Sequence, residues 1–403
     1  MKFSVPVLLG LLALNVSAAE VVVDLRLTAE EAHYDDNSLF SVPESILPAP
    51  SRSAGQNLEL NWQQTGFNTT ATLRNRMTEN RKPEQDAFFN ELYLDTHMAG
   101  QDVSIGRKIT SWGVGFGYRP LDVIQQEDRR ALYRNTLRGV NLLAWELFFD
   151  TAALSILWTN PGSGDNADHP ESAAIKFYRT NGNSDWHALA RYSKPTGTQA
   201  GIGISMVFGD SFEWHASVLW QRYDTSPINR LTLLQTPPAP PLSQNNPFIE
   251  HNRNNAIKAL AGASWTQLSG WTLLAEVWYD KSAYSDREWR SLTTLTEAQR
   301  VLLTATNRSA ATISANIAYN QQAFTQDNLH QWNTLLRLSR SRNGMEPSLE
   351  LLYTPKDQGL VTTARITHTF NRQKIEAGLR IFGGADESAW NRLPLDQVVY
   401  ISW

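Results

Sequence analysis

Downstream of residue 20 the chain repeats one pattern, a run of about ten residues in which apolar and polar side chains alternate before a turn. Alternation with a period of two places successive side chains on opposite faces of an extended strand. Leu58, Leu60 and Trp62 alternate with Glu59, Asn61 and Gln63, and the next run carries Thr70, Thr72, Arg74 and Arg76 on its polar side. Ile202, Ile204, Met206 and Phe208 oppose Gly201, Gly203 and Ser205; Trp214, Ala216, Val218 and Trp220 oppose Glu213, His215, Ser217 and Gln221. The pattern continues through Trp271–Val277, Leu349–Tyr353, Ala364–Phe370 and Ile375–Ile381. Ile313, Ala315, Ile317 and Tyr319 against Ser314 and Asn316 read in the same way and predict a strand.

Tight turns such as Gly209-Asp210-Ser211 and the hairpin signal Asn343-Gly344 join some of these runs. Long connections are expected at 41–56, 113–137, 224–254 and 281–309. The third, rich in Pro and Asn (236–248, TPPAPPLSQNNPF), reads as an irregular surface loop, and the fourth holds a short helix at TEAQRVLLTATN (296–307). About 19 runs can be marked out, yet a bacterial single-chain barrel needs an even number, which leads to 18 strands with 16 as the alternative. The bookkeeping fails to meet at the first run (Val21–Tyr34) and at 281–330.

The ends extend the picture. Lys2, the apolar run Val5–Leu14 and the small residues Val16-Ser17-Ala18-Ala19 are expected to form a signal peptide over 1–19, leaving 20–403 as the exported domain. No stretch of 18 consecutive apolar residues follows, which argues against a helical anchor, and a mean hydropathy of -0.38 does not detect alternating membrane strands. The final run, Gln397–Trp403, alternates and stops on an aromatic residue. Bacterial outer-membrane barrels commonly end in this way, so the resemblance implies that Trp403 is read by the barrel-insertion machinery. The fold expected is all-β: an antiparallel transmembrane β-barrel with long extracellular loops and no plug domain, set among the lipids of a Gram-negative outer membrane. The 14 Trp, 12 Tyr and 15 Phe suit interfacial girdles.

A net charge of -4, from 36 basic and 40 acidic residues, gives no reason to expect a nucleic-acid partner. The absence of Cys excludes disulfides and thiolate chemistry. The eight His residues show no metal-ligand or catalytic spacing, so no metal, cofactor or enzymatic activity is expected.

With the oily face assigned to lipid, the polar face supplies the expected pore lining. Its bases are Arg74, Arg76, Lys108, Lys176, Arg191, Lys258, Arg337, Arg365 and Arg380; its acids are Glu91, Asp95, Glu213, Glu276, Glu350 and Glu376. These groups either select a permeant or neutralise one another along the wall. Arg74, Arg76, Arg365 and Arg380 come from strands near the two ends, which become neighbours on closure and suggest an anionic permeant.

One run stands apart: Gly106-Arg107-Lys108, then Trp112-Gly113, Gly115, Gly117, Pro120 and Asp122. Its glycines and proline take the chain out of the sheet into a loop able to fold over or into the lumen. Strict alternation puts Arg107 on the lipid face, so a bulge or a rim position is expected there. The run resembles the corresponding segment of porin-like barrels of the alginate-export and capsule-assembly type, which implies passage of a polysaccharide or small organic solute. The function expected is a channel for a small polar or anionic solute or an oligosaccharide. The alternatives are a non-conducting barrel that binds a surface polysaccharide or protein through its loops, and an outer-membrane hydrolase.

Overall fold

The computed structural model describes residues 20–43, 49–133, 137–163, 170–234, 240–305 and 310–403. The expected signal peptide, 1–19, lies outside them. The first nine strands are β1 (Glu20–Tyr34), β2 (Arg52–Gln64), β3 (Phe67–Thr78), β4 (Glu84–Met98), β5 (Gln101–Lys108), β6 (Val140–Phe149), β7 (Ala152–Thr159), β8 (Ser172–Asn181) and β9 (Ser184–Ser193). The second nine are β10 (Gly197–Phe208), β11 (Phe212–Asn229), β12 (Phe248–Thr266), β13 (Trp271–Asp280), β14 (Trp332–Arg340), β15 (Met345–Thr354), β16 (Gly359–Phe370), β17 (Gln373–Gly384) and β18 (Leu395–Ser402).

Each strand pairs antiparallel with its neighbours in the chain, and β1 pairs with both β2 and β18, which closes an 18-stranded barrel. Trp403 completes the seam by exchanging backbone hydrogen bonds with Leu27 at 2.7 and 2.9 Å. Closure removes the sheet edge, whose unpaired N–H and C=O groups could not be satisfied in hydrocarbon. The first run, doubtful from its sequence, is therefore a full strand at the closing seam.

Leu73, Ile105, Leu143, Trp158, Leu273 and Leu336 project from the outer surface. At one end the connections are short. Asn343 and Gly344 both take left-handed dihedrals (φ 52° and 75°), the geometry of a tight hairpin turn. The other end carries the long connections, 35–51, 109–139, 230–247 and 281–331 among them.

Three expectations change. Residues 310–320 are not a strand but helix α2 (Ala310–Asn320). Its buried set Ile313, Ser314, Asn316, Ile317 and Asn320 follows helical spacing, and the β-branched residues had imitated alternation. The helix expected at 296–307 belongs to a longer one, α1 (Asp286–Ala305), which starts at a capping box. There Ser285 Oγ accepts from Glu288 N at 3.4 Å, and the Glu288 carboxylate accepts from Ser285 N at 2.8 Å. The loop expected over 224–254 is shorter, because β11 and β12 continue pairing as far as Asn229 and Phe248.

Phe40, Tyr284, Trp289, Leu292 and Leu329 pack with Ala389 of the short helix α3 (Ala389–Arg392). This small core gathers connections 35–51, 281–331 and 385–394 at the long-loop end.

Asp357, in the β15–β16 turn, anchors that region. It accepts from the amides of Gly359 (3.0 Å) and Ala389 (2.8 Å) and lies 2.7 Å from His330 Nε2. Burial alone would push its carboxyl up, yet His330 and the neighbouring donors hold it down to about 2. A carboxyl depressed in the folded state contributes stability above its unfolded value and loses it as pH falls through the folded one. The long-loop end is therefore expected to loosen between pH ~4 and ~2. Pepsin nicking of that end, normalised to an unfolded control, should rise across this window; Asp357→Asn should be nicked already at its upper limit.

Candidate functional site

The connection from β5 to β6 turns into the barrel and lies against its inner wall. Trp112 and Leu121 pack on Leu142, Leu157, Leu189 and Leu219, while Tyr118 and Phe116 pack on Leu260, Leu274, Trp278, Leu335 and Leu352. The inner wall thus carries apolar patches where the loop covers it and is not polar throughout.

Asp122 holds the loop's fold from within. Its buried carboxylate accepts from the amides of Trp112 and Gly113 (2.6 Å for the latter) and from Ser111 Oγ at 3.0 Å. Burial pushes its pKa up against the pull of those donors. Arg119 closes the turn through Gly115 O (2.7 Å) and Ser111 Oγ (2.7 Å). Gly115 is required sterically, since a Cβ there would sit 1.9 Å from Tyr118 O and 2.4 Å from Leu260 Cδ2.

Docking to the wall centres on Glu276 of β13. Its two carboxylate oxygens accept from Phe116 N at 2.6 Å and Gly117 N at 2.7 Å. His215 Nε2 lies 2.9 Å from the same carboxylate, and its Nδ1 lies 3.0 Å from Glu213. Next to this clamp, Tyr118 Oη donates to Asp280 at 2.9 Å, and burial beside that carboxylate raises the phenol well above its ordinary range. Farther along, Arg129 donates to Phe116 O (2.9 Å), Arg380 Nη1 to Arg130 O (2.8 Å), and Tyr133 Oη to Glu30 of β1 (3.1 Å). The loop therefore touches the wall from β6 round to the closing seam.

Most of the polar residues selected from sequence sit in ion pairs. Arg74 meets Asp86 (3.2 Å), Arg76 meets Glu30 (2.9 Å), Lys108 meets Asp95 (3.2 Å) and Lys258 meets Asp224 (2.9 Å). Arg337 meets Glu346 (2.9 Å) and Arg365 meets Glu376 (3.6 Å). Glu91 accepts from Ile109 N (2.9 Å) at the start of the loop. Glu276, expected to line the passage, is covered by the loop. Lys176 lies over the Trp112 ring, and Arg191 donates to Ser172 and Gln199. Lys176, Arg191, Glu350 and Arg380 show no ion pair among the described residues.

Arg107 occupies a rim position, the second-last residue of β5, bonded to Asn141 Oδ1 (3.2 Å) and Phe89 O (3.3 Å). The bulge lies on neighbouring β4 at Asn90. Sequence reasoning passed over Glu30, Asp86, Tyr118, Arg129, Arg130 and Asp280. The charge run Glu127-Asp128-Arg129-Arg130, inside a loop expected to fold over or into the lumen, was the available signal for two of them.

Two cavities flank the loop segment 128–132. One, of about 320 Å³, is lined by Glu30, Arg52, Arg76, Arg81, Glu84 and Leu132 among others. The other, of about 230 Å³, lies among Asp128, Arg130, Glu350, Arg380 and the rings of Phe324, Phe382 and Trp390.

A closed antiparallel barrel of 18 strands with one connection folded inward has a porin-like outer-membrane barrel fold. Among solved structures, the chain is similar to OccAB1 of Acinetobacter baumannii, at 7% identity over 96% of each chain with a TM-score of 0.55. It is likewise similar to OccK8 (OprE) of Pseudomonas aeruginosa, at 10% identity over 96% of this chain and 98% of that one, TM-score 0.53. OccK11 (OpdR) of the same organism gives 7% identity over 96% and 95%, with a TM-score of 0.51. At these identities the likeness concerns the fold. No family model and no curated protein matches the sequence.

Proposed function

We propose that this chain is an outer-membrane channel that passes a small polar solute, with anions favoured, through a lumen narrowed by its inward-folded loop. The observation that carries the reading is the loop itself, clamped to the wall by Glu276 and flanked by two charge-lined cavities. The loop-rich end faces the exterior in this reading, as the length asymmetry of barrel connections suggests. Arg380, which lines one of these cavities and makes no ion pair among the described residues, supports the anionic preference. The resemblance of the 106–122 run to alginate-export and capsule-assembly barrels favours an oligosaccharide cargo, but its Asp122 is spent on the loop's own amides. A small solute therefore fits better.

The test is the reversal potential across a bilayer holding refolded protein under a potassium chloride gradient. A shift toward the chloride potential is expected, and a shift toward the potassium potential would refute the preference. A second reading, a barrel that binds a partner through its loops, is favoured by the core around Phe40 and Trp289 at the long-loop end.

A further inference from the structure

The cavity of about 230 Å³ combines three features not needed merely to let water and ions pass. The first is a guanidinium, Arg380, that makes no ion pair among the described residues. Arg380 Nε donates to Thr363 Oγ1 at 2.9 Å and Nη1 to Arg130 O at 2.8 Å, which leaves part of its five-donor fork unspent. The second is a carboxylate, Glu350, that makes no ion pair among the described residues. Glu350 stands opposite Arg337 in the β14–β15 register, but Arg337 is paired with Glu346 instead. Glu350 and Arg380 both face Thr363 across the ladder, from β15 and β17, so their Cβ atoms stand about 10 Å apart. The third is an apolar flank. The rings of Phe382 and Trp390, both on the cavity lining, lie 5.7 Å apart.

Opposite charges held apart on one floor, beside an aromatic flank, are complementary to a molecule that carries both charges and an apolar tail. A single charge on the ligand would answer only one of the two wall groups, so a ligand carrying both is favoured over either single-charge relative. The volume lies below the range of about 300–1,000 Å³ typical of drug-sized ligands and suits a solute of one amino acid.

We propose that this cavity, bounded by the inner loop, β15–β17 and α3, is a binding site for a zwitterionic α-amino acid with an apolar side chain. Arg380 takes the carboxylate, Glu350 takes the ammonium, and Phe382 with Trp390 receives the side chain. This names a substrate class for the channel reading above and rests on that reading.

The test is isothermal titration of the refolded full chain in detergent with three probes of similar shape: L-leucine, 4-methylpentanoate and isopentylamine. Leucine is expected to bind at least about tenfold more tightly than either single-charge analogue. Arg380→Gln and Glu350→Gln should each weaken leucine binding by about tenfold or more, with Glu350→Gln bringing leucine and 4-methylpentanoate to similar affinity. Equal binding of leucine and either analogue by the unaltered protein would overturn the proposal, as would no measurable heat from leucine. The unaltered protein decides the matter even if a variant does not fold. Potassium chloride conductance of the same preparation separates the two readings. Conductance without leucine binding removes the site and leaves the channel; absent conductance removes the channel.

Discussion

Replacing Glu276 by leucine is expected to free the inner loop from the wall and raise open-channel conductance at least about twofold, with added current noise. The buried carboxylate is the acceptor for Phe116 N and Gly117 N and also meets the buried His215. Leucine supplies no acceptor, so two backbone amides lose their partner, at roughly 1–3 kcal/mol each. The loop can recover that energy only by leaving the wall. Glu276→Gln keeps one acceptor oxygen and should show a smaller change. Neither substitution touches the β12–β13–β14 backbone ladder, so the folded barrel should still resist unfolding on unheated gels. Single-channel recording of the three proteins side by side checks this, and unchanged conductance in Glu276→Leu would show that the clamp does not hold the loop.

The other large effect is expected on the opposite surface. Leu336 sits mid-strand in β14 with 41% of its surface exposed, opposite Ala275 and Leu351 in the flanking strands. In a bilayer that exposure is to hydrocarbon. Leu336→Arg should therefore destabilise the inserted barrel by about 2–4 kcal/mol, the cost of a guanidinium near the midplane of a barrel wall. Its neighbour Arg337 belongs to the inner face and pairs with Glu346 at 2.9 Å, a partly exposed ion pair. Arg337→Leu should cost no more than about 1 kcal/mol. Reversible urea unfolding in lipid vesicles measures both, and similar losses from the two changes would contradict the assignment of faces.

The barrel was legible where one face of a strand is oily and the other is not. Residues 201–208 and 213–221 register as a hairpin on alternation alone, and they pair as such. Legibility failed where both faces are apolar for different reasons. Leu335-Leu336 and Leu351-Leu352 each place one residue toward lipid and one beneath the loop or in the wall core, which a period-two pattern cannot distinguish. It failed again at α2, where Ile313 and Ile317 satisfy both a strand face and one helical turn; the capping box at Ser285 and Glu288 was the better guide to helix in that region.

The site divides along similar lines. Glu276 could be assigned inward from Trp271, Leu273, Ala275 and Val277, but its partners at 116 and 117 lie 160 and 159 residues away. No local signal reports such a contact. The 106–122 run was recognisable as a departure from the sheet because of its glycines. That Asp122 serves the loop's own amides follows only from the folded geometry. The charges picked as pore lining are read either as selecting a permeant or as neutralising one another, but the particular partner of each, such as Glu30 of β1 for Arg76 of β3, depends on how the strands come together.

The central claim is that a water-filled passage runs through this barrel and that the inner loop sets its width. Planar-bilayer conductance of the refolded chain, beside a variant in which 113–133 is replaced by a short Gly/Ser linker, tests it most directly. Heat-modifiable gel mobility should establish that both are folded. The account predicts discrete conductance steps from the unaltered chain and steps several-fold larger, about two- to fivefold, from the loop-less one, in keeping with the wide lumen of an 18-stranded barrel. Two folded barrels with no conductance above background, or with steps of equal size, would contradict it.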